Sequence, residues 1–328
     1  MSGSPQSFGA RLAAARDRYG PLCVGIDPHP SLLARAGLDD NATGLASFCD
    51  LMMKAVDGAV TAIKPQSAFF ERHGSAGIAV LERLLHDAAV DDILTILDAK
   101  RGDIGSTMTA YAQAYLSPSS PLGADAVTLS PYLGFESLRP ALDLARQHGK
   151  GVFVLALTSN PEGATVQHRG VPSVAEHVIE SVARCNAEKG ATDDDTEEDG
   201  ATEMGSDEGA SEKGVADQVG SMAPLGDIGV VIGASAGAAI DHLSLRSMLS
   251  NSTMPVLAPG VGAQGASAAD VEQSLRGFTD RVLTPVSRGV LSAGFDVAAI
   301  NARCAELRTE LGSIALGRSG LDERNSTP

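Results

Sequence analysis

Three aspartates and two lysines are the residues of this chain best placed to do chemistry. Asp98-Ala99-Lys100-Arg101-Gly102-Asp103 follows the apolar run Ile93-Leu94-Thr95-Ile96-Leu97. That run has the length and β-branched content of a buried strand, so the charges are expected where a strand ends and a loop begins. Asp98 and Lys100 are two residues apart, and in extended backbone such residues point to the same side. A carboxylate and an ammonium at the end of a buried strand lose hydration that folding alone gives no reason to surrender. Held together, they can keep a proton, hand it on, or stabilise charge developing on a bound molecule.

The same theme recurs along the chain. Leu22-Cys23-Val24-Gly25-Ile26 ends in Asp27-Pro28, and Val60-Thr61-Ala62-Ile63 ends in Lys64-Pro65. Gly151 to Leu157 leads into Thr158-Ser159-Asn160-Pro161, and Arg281 to Val286 leads into Ser287-Arg288. Asp27, Lys64, Asp98, Lys100, Asp103, Ser159 and Arg288 are therefore candidates to converge on one mouth. The plain alternative for any one of them is a solvated rim ion pair. A glycine-rich stretch, Pro259-Gly260-Val261-Gly262-Ala263-Gln264-Gly265, follows another apolar run. Such a loop lets backbone N–H groups approach an anion closely. It is not a nucleotide P-loop, because no Gly-Lys-Ser/Thr follows.

The elements that must position these residues alternate regularly. Eight strand-like runs begin near residues 22, 60, 93, 125, 151, 228, 255 and 281. Helical patterns lie between them, at 43–57, 72–88, 106–116, 135–148, 171–189, 236–249, 267–276 and 296–311, with another ahead of the first strand at 7–19. Eight βα units fit a (β/α)8 TIM barrel, an α/β fold whose strand C-termini open on one face. A doubly wound sheet is the rival and has fewer strands as a rule. The expected organisation is one barrel domain over 1–314, interrupted by an acidic low-complexity insertion at 190–225, with a flexible tail at 315–328. The insertion falls between helix 5 and strand 6, on the face away from the candidate site. Asp, Glu, Gly, Ser and Ala dominate it, so it buries too little to offset its ordering entropy and is expected to be disordered.

Composition narrows the function. The chain has 328 residues and 43% hydrophobic residues, enough for a sizeable core. Its net charge of −16 argues against a nucleic-acid or anionic-membrane partner. Residues 190–220 hold eleven acids and one base, leaving about −6 for the rest. Cys23, Cys49, Cys185 and Cys304 form no CxxC pair and no zinc-like cluster, which suits reduced thiols in a cytoplasmic protein. None of the seven histidines has paired ligand spacing, and surface or helix positions account for them. Tyr111 and Tyr115 suggest a packing or dimer face, and Gly25 and Gly233 suggest close backbone approach. No signal peptide and no run of about 18 apolar residues is visible.

Asp98-x-Lys100-x-x-Asp103 with Ile104 and Thr107, Asp27 after strand 1, Lys64-Pro65-Gln66 after strand 2, and Pro259 to Gly265 after strand 7 together resemble orotidine 5′-phosphate decarboxylase. The longer, actinobacterial-like branch fits best, given Val24 to Pro28, Thr158 to Gly163 and Pro285 to Arg288. The resemblance runs from about residue 6 to 312, apart from the insertion. It implies decarboxylation of orotidine 5′-monophosphate to uridine 5′-monophosphate, with no cofactor and no metal, in a homodimer with shared sites. It implies that Lys100 protonates C6 of the pyrimidine and that Asp98 faces the substrate carboxylate. Lys64, Asp98, Lys100 and Asp103 match an alternating charge network, with Asp103 reaching into the partner's site. Asp27, Lys64 and Thr107 match positions near the ribose hydroxyls, Thr107 again in trans. Ser159 matches the residue holding the pyrimidine amide, and Gln264 and Arg288 match the phosphate grip. One departure is visible: many relatives have Gly-Arg where this chain has Ser287-Arg288.

Two other functions share parts of this pattern. Mg-dependent sugar-phosphate enzymes of the same superfamily, keto-gulonate phosphate decarboxylase and hexulose phosphate synthase, have a glutamate metal ligand after strand 2. Here that position is Lys64, which would repel Mg2+. A non-catalytic barrel that binds a phosphate metabolite would be expected to have lost part of the lysine–aspartate set, and none is lost.

Overall fold

The computed structural model describes residues 6–194, 224–262 and 265–315. Eight parallel strands close in chain order: β1 (Leu22–Ile26), β2 (Ala62–Pro65), β3 (Leu94–Arg101), β4 (Ala126–Leu129), β5 (Gly151–Leu157), β6 (Ile228–Ile232), β7 (Val256–Leu257) and β8 (Val282–Val286). β8 closes the ring on β1, with Leu22 opposite Thr284 and Val24 opposite Val286. Nearly every strand residue is buried, as expected where helices cover the outside and side chains fill the inside. This is the (β/α)8 barrel that the alternation implies.

Cys23, Ala62, Leu94, Ile96, Ala126, Phe153, Val231, Leu257 and Leu283 form the inner core. Phe8 and Leu12 of the first helix, Phe8–Tyr19, belong to the same cluster. The Phe8 ring meets Phe153 edge-on at 6.0 Å and stops the floor of the barrel. Ser7 caps this helix by accepting from the N–H of Ala10. Asp125, just ahead of β4, anchors it: Arg11 Nη1 lies 2.7 Å and Lys150 Nζ 3.3 Å from Asp125 Oδ1. Thr95 donates to Asp125 Oδ2 through its N–H at 3.0 Å and its hydroxyl at 3.1 Å. Burial alone would raise the Asp125 carboxyl, but Lys150 and Arg11 hold it below the ordinary value.

Several boundaries differ from the sequence-based expectation. β3 does not stop at Leu97 but carries Asp98 and Lys100 within it. The helix expected at 236–249 is two, Gly237–His242 and Arg246–Ser250, divided at Ser244, whose φ is 58°. The fifth crossover helix starts at Val174 and continues to Asp194, into the stretch assigned to the insertion. The insertion narrows at its other end too, because Leu225 packs against the floor cluster. Residues 195–223 lie outside the described residues, as do 1–5 and 316–328. The last helix, Val297–Ala315, reaches the expected start of the tail. The four cysteines are free and buried, and burial pushes the Cys23 and Cys49 thiols up to about 12. Among the described residues, no helix is long and apolar enough to cross a membrane.

Candidate active site

The upper end of β3 is irregular in a way that places its charges. Leu97 pairs with Val127, and the next register pair is Arg101 with Leu129, so β3 carries two extra residues there. Lys100 lies within this bulge at φ 49°, a left-handed conformation that costs a side-chain-bearing residue about 1–3 kcal/mol. Asp98 and Lys100 do meet, but the bulge brings them together and not the simple two-residue alternation of a regular strand. Beyond them, a Cβ on Gly102 would lie 2.3 Å from the carbonyl oxygen of Ser130. Only glycine lets the ends of β3 and β4 approach this closely.

Asp98 is the hub. Its Oδ1 accepts from Lys100 Nζ at 2.6 Å and from the Thr128 hydroxyl at 2.9 Å. Its Oδ2 accepts from Lys64 Nζ at 2.9 Å and from Gln66 Nε2 at 3.1 Å. Burial disfavours the charged form of Asp98, yet Lys64 and Lys100 outweigh it and hold the carboxyl well below the usual carboxylate range. Lys64 is buried as well. Desolvation alone would lower its pKa, but Asp98 and then Asp27 keep it above the ordinary lysine value. Both lysines therefore face one carboxylate that is ionised at neutral pH. Lys100 is the more exposed of the two and so the more available to a bound molecule.

Asp27 stands on the other side of Lys64, 3.8 Å from Nζ through Oδ1. Its Oδ2 accepts from the Ser287 hydroxyl, and its buried Oδ1 has no hydrogen-bond partner. Gly25 makes room for this contact, since a Cβ there would lie 2.0 Å from Ser287 Oγ. Gly233 likewise sits against Ser159, where a Cβ would come within 2.9 Å of the serine Cβ. An orphaned buried acceptor beside a cation invites a hydroxyl donor.

These residues line a cavity of about 350 Å³ at the C-terminal end of the barrel. Ser159 and Asn160 enter from the loop after β5, Pro259 to Val261 from the loop after β7, and Ser287 and Arg288 from the end of β8. The β5 loop is clamped by Gln167, which accepts from the Thr158 N–H at 2.9 Å and donates to its hydroxyl at 2.8 Å. Of the residues singled out from sequence, the structure gathers Asp27, Lys64, Asp98, Lys100, Ser159 and Arg288 here. Asp103 and Thr107 do not line this cavity. Asp103 Oδ1 accepts from the N–H of Ile104 at 2.8 Å, and Thr107 is exposed on the helix Gly105–Leu116. Gln264 lies outside the described residues.

Thr128 and Ser287 make site contacts that the sequence reading did not assign, and His29, dismissed there with the other histidines, lines the mouth and packs on Phe69 at 4.2 Å. A polar residue between two apolar neighbours in Val127-Thr128-Leu129 was the available signal for the first. A paired lysine–aspartate array at the mouth of such a cavity can stabilise an anion next to an ammonium and then protonate it.

Residues 20–302 match the model of the orotidine 5′-phosphate decarboxylase / HUMPS family. This chain belongs to that family. Within the family, it is 48% identical to the orotidine 5′-phosphate decarboxylase of Salinispora arenicola over 300 residues, 90% of this chain and 94% of that protein. It is 45% identical to the protein of the same name from Streptomyces coelicolor over 308 residues, 93% of this chain and 97% of that one. A crystal structure from Streptomyces avermitilis, given the same name provisionally, superposes with a TM-score of 0.80 at 44% identity, covering 96% of this chain and 98% of that one.

Proposed function

We propose that this chain decarboxylates orotidine 5′-monophosphate to uridine 5′-monophosphate, the last step of de novo pyrimidine nucleotide synthesis. The observation that carries this reading is the Lys64–Asp98–Lys100 array, with an ammonium where the Mg-dependent branch of the same family has a glutamate. A buried cation held charged by Asp98 and Asp27 would repel Mg2+.

The chemistry suits the residues. Loss of CO2 from C6 leaves an anion with no adjacent carbonyl to spread its charge. The Lys100 ammonium, tethered to Asp98 Oδ1, stabilises that anion as it forms and then donates its proton to C6. Asp98 stays ionised and keeps Lys100 charged and aimed. The unpartnered Oδ1 of Asp27 accepts from a ribose hydroxyl, with Lys64 beside it. Ser159 holds the pyrimidine amide, and Arg288 and Gln264 with the glycine loop hold the phosphate. Binding energy from that remote phosphate can be used to orient the reacting end.

Asp103 and Thr107 act in the site of a second copy, so the working unit is a homodimer. Their position outside the cavity of their own chain supports this. So do the exposed apolar side chains of Ile104 (62% exposed), Tyr132 (80%) and Leu133 (53%) on the loops after β3 and β4. The protein acts in the cytoplasm on a small molecule, without nucleic acid or membrane.

The test is the ultraviolet assay of orotidine 5′-monophosphate consumption, without added metal and again with EDTA. Equal rates are expected. Loss of the rate on chelation would favour the Mg-dependent branch, and absence of turnover would favour a binding protein. Mixing Asp103→Ala with Lys100→Ala subunits should restore part of the rate, because one hybrid site is intact. No regain would exclude the shared site.

A further inference from the structure

The bulge in β3 leaves a problem that β4 solves. Between the pairs Leu97–Val127 and Arg101–Leu129, the extra residues of β3 have lost the regular ladder to β4. A backbone N–H left unpaired there would be costly. The Lys100 N–H instead donates to the Thr128 hydroxyl oxygen at 3.0 Å. The same hydroxyl donates its own proton to Asp98 Oδ1 at 2.9 Å. A hydroxyl has one proton to give, and Asp98 is held ionised and can only accept, so the direction of both bonds is set. Thr128 is 1% exposed, and its β-branched side chain is stiff about χ1 on a strand. One side chain thus stands in for the missing backbone acceptor at Lys100 and holds the same carboxylate oxygen that receives the Lys100 ammonium.

We infer that Thr128 is a positioning residue, whose hydroxyl keeps the left-handed backbone of Lys100 and the carboxylate of Asp98 in the mutual arrangement that proton delivery requires. This rests on the decarboxylase reading above. It predicts that the two contacts matter for the chemical step more than for substrate binding, since neither is made to the substrate.

The experiment compares the full-length wild type with Thr128→Val, which keeps the shape and removes the hydroxyl, and Thr128→Ser, which restores it. Steady-state rates are measured on orotidine 5′-monophosphate, with hydrogen–deuterium exchange of the peptide carrying Lys100. For Thr128→Val, kcat should fall about 10- to 100-fold with KM changed less than about threefold. Exchange at the Lys100 peptide should quicken about tenfold or more. Thr128→Ser should recover kcat to within about threefold of wild type and return the exchange to the wild-type value. Should the valine variant not fold, Thr128→Ala carries the same comparison. A hydroxyl-free variant with wild-type kcat, or a serine variant as slow as it, would overturn the inference. If the wild type itself does not turn over this substrate, the functional reading falls, and exchange decides the positioning alone: unchanged exchange overturns it.

Discussion

Asp98 and Asp125 stand at opposite ends of neighbouring strands, and each gathers two cations and a threonine. Both carboxyls are held below the ordinary value by those cations against the opposing effect of burial. The likeness ends there. The cations at Asp125 come from outside the strands, Arg11 on the first helix and Lys150 just ahead of β5, and the cluster ties helix to barrel. The cations at Asp98 belong to β2 and to the bulge of β3, and Lys100 faces a cavity. Beside it, the Asp27 Oδ1 is buried without a hydrogen-bond partner. The floor cluster is complete in the folded chain, whereas the upper one keeps a proton donor and an acceptor in reserve. An aspartate with two cations is not in itself a functional sign; what distinguishes a site is the capacity left over once folding is satisfied.

The largest test of that contrast is Lys100→Ala. We expect kcat to fall by at least about 10⁴-fold, with the melting temperature nearly unchanged. A similar loss of rate in a floor variant would erase the distinction. Asp125→Ala should do the reverse. Removing it leaves Arg11 and Lys150 unpaired and should cost about 3 kcal/mol in denaturant unfolding, with kcat within about threefold of wild type.

The acid limb of stability separates the two further. Both carboxyls have depressed folded pKa values, so their contribution is present above the unfolded carboxylate value of about 4 and is lost as pH falls through the folded values. Asp125→Asn should flatten that limb in unfolding measured from pH 5 downward while the rate at neutral pH persists. Lys64 has the opposite sign. Its raised pKa contributes fully below about 10.4 and is lost only as pH rises through the folded value, so Lys64→Met should flatten the alkaline limb. The smallest effect is expected from deleting residues 195–223: stability within about 0.5 kcal/mol and an unchanged rate. A large loss of rate would mean that the segment reaches the upper face.

The barrel was legible in the sequence because buried parallel strands read as continuous apolar runs, and a charge at the end of such a run stands out. Asp27, Lys64, Asp98 and Lys100 were found in this way. The bulge at Lys100 was not, since no glycine or asparagine marks its left-handed residue. Thr128 was hidden because threonine is common in strands and its hydroxyl has meaning only once the register slips. Ser287 entered as a departure from the family pattern, and its contact with Asp27 became visible only when β8 closed on β1. Asp103 and Thr107 were legible as a motif, but they do not line the cavity that holds Asp98 and Lys100.

The floor has a consequence for protein engineering. The chain returns from residues 195–223 at Pro224 and is secured at once. The Gly9 N–H donates to Asp227 at 2.8 Å, and the Asn186 side chain pairs with both the N–H and the carbonyl of Ile228. These fastenings lie at the end of the barrel remote from Lys100 and do not depend on what joins them. New termini, a reporter domain or a surface tether introduced between Asp194 and Pro224 would join the barrel at the end away from its mouth.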